Sequence, residues 1–138
     1  MSIMIILLAE DNPGDVLLIR EAMLEAGVRS QLHVVHDGQS ALDFLRGHGP
    51  FAGSPQPDLV ILDLNLPAKN GREVLAEMTG DDQLNHIPVA VLTSSKTEQD
   101  VCQCYPDNRC TYHTKPILFG ELVEVIREIH QFGQAVKS

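Results

Sequence analysis

The sequence predicts an α/β domain in which a five-stranded parallel sheet carries helices on both faces. Two observations predict it. Short, continuous apolar runs, such as "MIILLA" at 4–9 and "PVAVLT" at 88–93, alternate with stretches whose apolar residues recur at helical spacing. Gly, Pro and Asn fall between the runs, where turns are needed. Strands that are apolar throughout are buried on both sides, as parallel strands covered by helices are.

Residues 4–9 read as the first strand. Asn12 can cap the helix that follows, Pro13 suits its first position, and Asp15 favours its positive end. In "DVLLIREAMLEAG", Val16, Ile19, Met23 and Leu24 share one face, and Gly27 ends the helix. "LHVVH" (32–36) is the second strand, "DGQSALDFLRG" (37–47) a helix ended by Gly47, and "HGPFAGSPQP" (48–57) a loop. "DLVILD" (58–63) is the third strand. "GREVLAEMTG" (71–80) is the third helix, with "REVLAEM" an ordinary amphipathic, core-facing segment. After the fourth strand (88–93), "KTEQDVCQCY" (96–105) reads as a helix up to Pro106, and "CTYHT" (110–114) as the fifth strand. Residues 118–132 form the last helix, with Leu118, Leu122, Val125, Ile126 and Ile129 on one side. Five βα units without a repeat, linker or low-complexity segment give the expectation of a single domain over residues 1–138.

Composition narrows the function classes. Apolar residues are 43% of the 138, enough for a core without staples. A net charge of −9, from 19 acids against 10 bases, disfavours a nucleic-acid partner. Aromatics at 4% with no Trp disfavour a base-stacking surface. The N-terminal apolar run has no basic flank and cannot span a bilayer, so the expectation is a cytoplasmic protein with no membrane partner. Cys102, Cys104 and Cys110 are then expected as free thiols. The spacing of Cys102 and Cys104 on a helix points them apart, which disfavours zinc. His36, closing the second strand, is expected at the surface.

Chemistry collects at the carboxyl ends of the strands, where open α/β sheets bind ligands. Glu10 and Asp11 follow the first strand, Asp63 ends the third, Thr93 ends the fourth with Ser94 and Ser95 behind it, and Lys115 follows the fifth. A single Asp at a strand end is usually a turn or cap residue, and a lone Lys-Pro is usually a loop. Together, at the ends of four strands, they are a site. Three adjacent carboxylates repel, and a divalent cation relieves them. Oxygen donors without His or Cys suit Mg2+. Asp11 and Asp63 would ligate directly, with the backbone carbonyl of Asn65, and Glu10 through water. Thr93 and Lys115 are explained by a phosphoryl group on Asp63, which they would hydrogen-bond and neutralise.

These residues resemble the receiver domain of bacterial response regulators, the CheY-like fold. The resemblance covers residues 3–132 and is carried by "LLAEDNPGD", "DLVILDLNLPAKNGREVL", "IPVAVLTSS" and "TKP". It implies a doubly wound, flavodoxin-like sheet of order 2-1-3-4-5 with five helices. It also implies that Asp63 is the phosphoacceptor, Glu10 and Asp11 the acidic pair, Thr93 the switch hydroxyl, Lys115 the phosphate-contacting lysine and Tyr112 the aromatic switch residue. The Lys115–Pro116 bond is cis in this family. "EDNPGDVLLIREA", "LRGHGPF" and "DLNLPAKNGREVLAEM" look more narrowly like the stand-alone regulators paired with bacterial phytochromes. That implies a histidine kinase, a red-light photoreceptor, as partner, an unknown downstream protein, and a homodimer through the fourth helix, fifth strand and fifth helix. "CQCYPDNRCTYH" (102–113) departs from the group: Pro106 blocks a helix, and His113 stands where Ile or Val is common. These changes fall on the dimer face.

Three rival functions use similar parts. A Mg2+-dependent phosphohydrolase of the haloacid dehalogenase type places its nucleophilic Asp after the first strand, where this chain has the acidic pair. A phosphate-independent binding module would have lost the Asp, the Lys or the pair. A flavodoxin relative needs a hydroxyl- and glycine-rich loop after the first strand, where "AEDNPGD" places negative charge. The expectation is a phosphoacceptor switch rather than an enzyme with a separate substrate.

Overall fold

A computed structural model describes residues 3–137 of the protein. Its strands are β1 (Met4–Ala9), β2 (Ser30–Val35), β3 (Leu59–Leu62), β4 (Val89–Thr93) and β5 (Cys110–Thr114), and its α-helices are α1 (Pro13–Glu25), α2 (Gly38–Arg46), α3 (Gly71–Thr79) and α4 (Phe119–Lys137). The strands form one parallel sheet of order β2-β1-β3-β4-β5. Register aligns Ala9 with both Val35 and Leu62, Leu62 with Val91, and Thr93 with Thr114. The residues that follow β1, β3, β4 and β5 therefore emerge along one edge.

The central strands are buried on both sides because a layer of helices covers each face. Leu7, Ala9, Val60, Leu62, Val89 and Val91 pack with α2 and α3, while Ile6, Leu8, Leu59, Ile61, Ala90 and Leu92 pack with α1 and α4. Neighbouring side chains on a strand enter opposite layers, as the strand's two-residue period requires.

Local signals set the helix ends. Asn12 caps α1 with Pro13 in its first turn, Asp37 caps α2 with Gly47 left-handed at its end, and Asn70 and Glu73 form a capping box on α3. Two expected apolar faces shift. Ile19, Ala22 and Met23 bury the α1 stripe, whereas Leu24 is 80% exposed. One residue past Met23 turns the side chain about 100° around the helix and off the stripe. In α4, Leu122, Ile126 and Ile129 are buried and Val125 is half-buried, but Leu118 precedes the helix and is exposed.

The expected helix at 96–105 is absent, so the described residues contain four α-helices rather than five. The segment has a 3₁₀ turn at Gln99–Cys102 and another at Pro106–Asn108. The free-thiol expectation also fails for two cysteines: Cys102 is disulfide-bonded to Cys110, with 5.4 Å between Cα atoms, and Cys104 alone is free and exposed. The bond returns the chain to the first residue of β5 within eight residues. Pro106 cannot extend a helix, and Asp107 and Asn108 turn with φ of 59° and 56°. Tyr105 anchors the turn, donating its hydroxyl to the carbonyls of Ile87 at 2.6 Å and Leu84 at 3.2 Å.

Candidate functional site

Three of the candidate residues are positioned by a backbone bond to a neighbouring strand end. Glu10 N–H donates to Val35 at 3.0 Å, Asp63 N–H to Ala9 at 3.1 Å, and Lys115 N–H to Thr93 at 2.7 Å. The ladder thus extends one residue past β1, β3 and β5, and those residues are Glu10, Asp63 and Lys115. Gly71 lets α3 begin directly behind Asp63. A Cβ there would lie 2.2 Å from the Asp63 carbonyl oxygen and 2.7 Å from Leu64 Cα.

Glu10 is 1% exposed, Asp63 5% and Thr93 0%. Burying two carboxylates is costly unless a cation is shared between them. Lys115 supplies it. Its Nζ lies 2.6 Å from Glu10 Oε1, 2.8 Å from Asp15 Oδ2 and 3.0 Å from Asp63 Oδ2. Burial pushes the Glu10 carboxyl above its ordinary value, opposed by the Lys115 hydrogen bond and reinforced by the charge of Asp63. Burial also works against charge on Lys115, but its hydrogen bonds to Asp15, Glu10 and Asp63 outweigh it, so the ammonium is held more firmly than in water. Glu10 also accepts from Asn12 N–H at 3.1 Å, and Asp63 Oδ1 from Asn65 N–H at 3.2 Å.

The acids expected to hold a cation are together. Glu10, Asp11 and Asp63 each offer a carboxylate oxygen, all within 4.8 Å of one another, and Asp11 is exposed to solvent. This all-oxygen donor set fits a hard divalent cation. Asn65 is exposed beside them.

Thr93 and Tyr112 meet through one residue. Thr93 Oγ1 accepts from Ser95 N–H at 3.4 Å, and the Tyr112 hydroxyl donates to the Ser95 carbonyl. Tyr112 is half-buried on β5. Arg72 of α3 bonds the Leu64 carbonyl at 3.3 Å and pairs with Glu98, tying the segment after β4 to the loop after Asp63. His36 is exposed, as expected, and lies 3.2 Å through Nδ1 from the Glu10 carbonyl oxygen.

One expectation needs correction and another is extended. No described peptide bond is cis, so Lys115–Pro116 is trans. Trans is the lower-energy isomer of an X-Pro bond, and Lys115 reaches all three carboxylates from it. Asp15, read as a helix-dipole residue, is also a partner of Lys115. The clue was its place in the first turn of a helix that starts three residues after Glu10.

The response regulator receiver domain family matches residues 6–127. Response regulator Rcp1 of Synechocystis sp. is 40% identical over 128 residues, which are 93% of this chain and 87% of Rcp1. The Mn2+-bound form of Rcp1 superposes with a TM-score of 0.80 at 40% identity, covering 94% of this chain and 93% of that one. The phosphorylated cyanobacterial phytochrome response regulator RcpA gives 0.84 at 40% identity, covering 97% and 96%. The bacteriophytochrome response regulator AtBRR gives 0.77 at 37% identity, covering 94% of each chain.

Proposed function

Given that this chain belongs to the response regulator receiver domain family, we propose that it is the phosphoryl-accepting switch of a cytoplasmic two-component system. Asp63 is the acceptor, and a histidine kinase, a bacterial phytochrome, is the donor. The observation that carries this reading is the placement of Lys115 Nζ 3.0 Å from a buried Asp63 oxygen, beside a cation-competent acid cluster, with the buried Thr93 joined to Lys115 by a backbone bond. The phytochrome partner is supported by the relatives RcpA and AtBRR, which are phytochrome response regulators.

In the transfer, an Asp63 carboxylate oxygen attacks the phosphorus of a phosphohistidine. The O–P bond forms, the P–N bond breaks, and the imidazole leaves with the electron pair and takes a proton from solvent. Lys115 turns its ammonium to the incoming phosphoryl oxygens, and Thr93 offers its hydroxyl to one of them. Mg2+, when bound, supplies positive charge to those oxygens and relieves the carboxylates' repulsion. Asp11, Asp63 and the Asn65 carbonyl would hold it, with Glu10 acting through water. The chain turns over no separate substrate. Its chemistry is its own phosphorylation and dephosphorylation.

The switch follows from the Thr93–Ser95–Tyr112 link. In the Thr93–Ser95 bond the hydroxyl only accepts, so its own O–H is left to donate to a phosphoryl oxygen, and because that bond is long and weak at 3.4 Å the hydroxyl can turn away from Ser95 at little cost. Ser95 carries the acceptor of Tyr112, so its displacement passes to β5 and reshapes the surface there. A downstream protein, or a second copy pairing through β5 and α4, reads that surface.

The test is intact-mass analysis after incubation with Mg2+ and acetyl phosphate, for the wild type and Asp63→Asn. One added phosphoryl group on the wild type alone is expected. No addition, together with no beryllofluoride binding, would overturn the reading in favour of a phosphate-independent binding module. Red-light-dependent loading from a phytochrome kinase tests the donor.

A further inference from the structure

We propose that Asp15 is the positioning residue for Lys115: it keeps the ammonium aimed at Asp63 when the other two carboxylates are engaged elsewhere. The inference rests on the phosphoryl-acceptor reading and names a residue that reading does not include.

An ammonium has three N–H donors, and Lys115 gives them to three carboxylates on three different elements. Glu10 follows β1, Asp63 follows β3, and Asp15 stands in the first turn of α1. Glu10 and Asp63 also belong to the acid cluster with Asp11. A divalent cation at the cluster makes demands on both before a phosphoryl group arrives, and Lys115's hold on two of its three anchors is then weakened. Asp15 is outside that cluster, and its side chain is 35% exposed against 2% and 6% for Glu10 and Asp63. Its carboxylate stays available in every state of the site.

Asp15 is also firmly placed. Its N–H is bonded to Asn12 Oδ1 at 3.1 Å, and Pro13 limits the backbone of the same turn. Ile19, Ala22 and Met23 hold α1 in the core. A rigid turn therefore restrains a lysine head on a flexible four-carbon stem. Because Asp15 lies apart from the cation cluster, it restrains the head without occupying a ligand position. A lysine that reached the site only through the reacting carboxylate would be free to swing out once that carboxylate changed partners.

The test compares wild type, Asp15→Asn and Asp15→Glu in the Mg2+-bound protein. One readout is the ¹⁵N NMR signal of the Lys115 ammonium, which slow proton exchange keeps visible when it is hydrogen-bonded. A second is the single-turnover rate of phosphoryl loading as a function of acetyl phosphate concentration. A third is Mn2+ affinity, measured from free Mn2+ by paramagnetic resonance. Asp15→Asn is expected to lose the ammonium signal and lower the limiting loading rate about tenfold, the scale on which loss of a group supporting a functional side chain acts. Half-saturation and Mn2+ affinity should stay within about twofold, and Asp15→Glu should restore the signal and much of the rate. An Asn variant that keeps both the signal and the rate overturns the proposal. So do Asn and Glu variants that lose rate equally, in step with a lower melting temperature, because Asp15 would then act only on α1. If the wild type itself takes no phosphoryl group, the acceptor reading fails, while the ammonium signal still reports whether Asp15 holds Lys115.

Discussion

Lys115 Nζ stands 3.0 Å from Asp63 Oδ2, bridging 52 residues of chain, and the same ammonium neutralises Glu10 at 2.6 Å. Removing it leaves two buried carboxylates facing each other. Lys115→Met should cost about 3 kcal/mol without divalent cations, the penalty of breaking a buried ion pair from one side. Millimolar Mg2+ should return much of that stability, because it replaces the missing charge. Urea midpoints with and without Mg2+ check this. Equal stabilisation of variant and wild type would refute the shared-cation picture.

Gly71→Ala should destabilise by about 3 kcal/mol and slow phosphoryl loading, since the new methyl group must displace the Asp63 carbonyl or Leu64. Gly120→Ala is the control. Nothing lies within 4 Å of a Cβ at Gly120, and it stands in α4, so alanine should be neutral or stabilise by about 0.5–1 kcal/mol. Thermal melts of both variants, with loading from acetyl phosphate, measure the contrast.

The Cys102–Cys110 bond closes the turn that stands in place of a helix. Protein purified without reductant should be two hydrogens lighter in intact mass than reduced protein. Reduction, or the Cys102→Ser and Cys110→Ser pair, should lower stability by about 2–3 kcal/mol through the freed unfolded chain. Thiol titration of the folded protein should count one free thiol, that of Cys104. A count of three would refute the pairing.

Burial pushes the Tyr105 phenol well above its ordinary value of 10, with Arg109 opposing only in part. A folded-state value above the unfolded one means that this contribution to stability is complete below pH 10 and is lost as pH rises beyond it. Lys115, also raised, adds a loss in the same direction above its ordinary 10.5. Tyr105→Phe should cost about 1–2 kcal/mol at neutral pH, because Leu84 and Ile87 lose their donor. The same change should flatten the decline in stability above pH 10. Urea midpoints between about pH 8 and pH 11 test both parts, and an unchanged alkaline slope would count against the buried phenol.

The strands were legible because the runs 4–9, 88–93 and 110–114 are short and bounded by turn residues. The cap at Asn12 acts within one turn of chain, so its chemistry could be read locally, whereas the caps at Asp37 and Asn70 appear only in the structure. Glu10, Asp11, Asp63, Thr93 and Lys115 could be named in advance because parallel strands bring their carboxyl ends to one edge. The second strand was misjudged at its start by two residues, since Ser30 and Gln31 carry no apolar signal. The helix expected at 96–105 was lost because local propensity yields to a bond with Cys110 and to the seat of Tyr105 under Leu84 and Ile87.

By itself, then, the sequence determined the order of the five strands and of the four α-helices that form, the cap at Asn12 and the polar residues at the strand ends, since each depends on neighbours within a few positions. Only the tertiary structure decided that Lys115 divides its three N–H groups among Glu10, Asp15 and Asp63, that Cys102 pairs with Cys110, and that the Lys115–Pro116 bond is trans. The physical reason is distance along the chain. Asp15 and Lys115 are 100 residues apart, and no local propensity encodes which of several carboxylates an ammonium will reach once the sheet has aligned them.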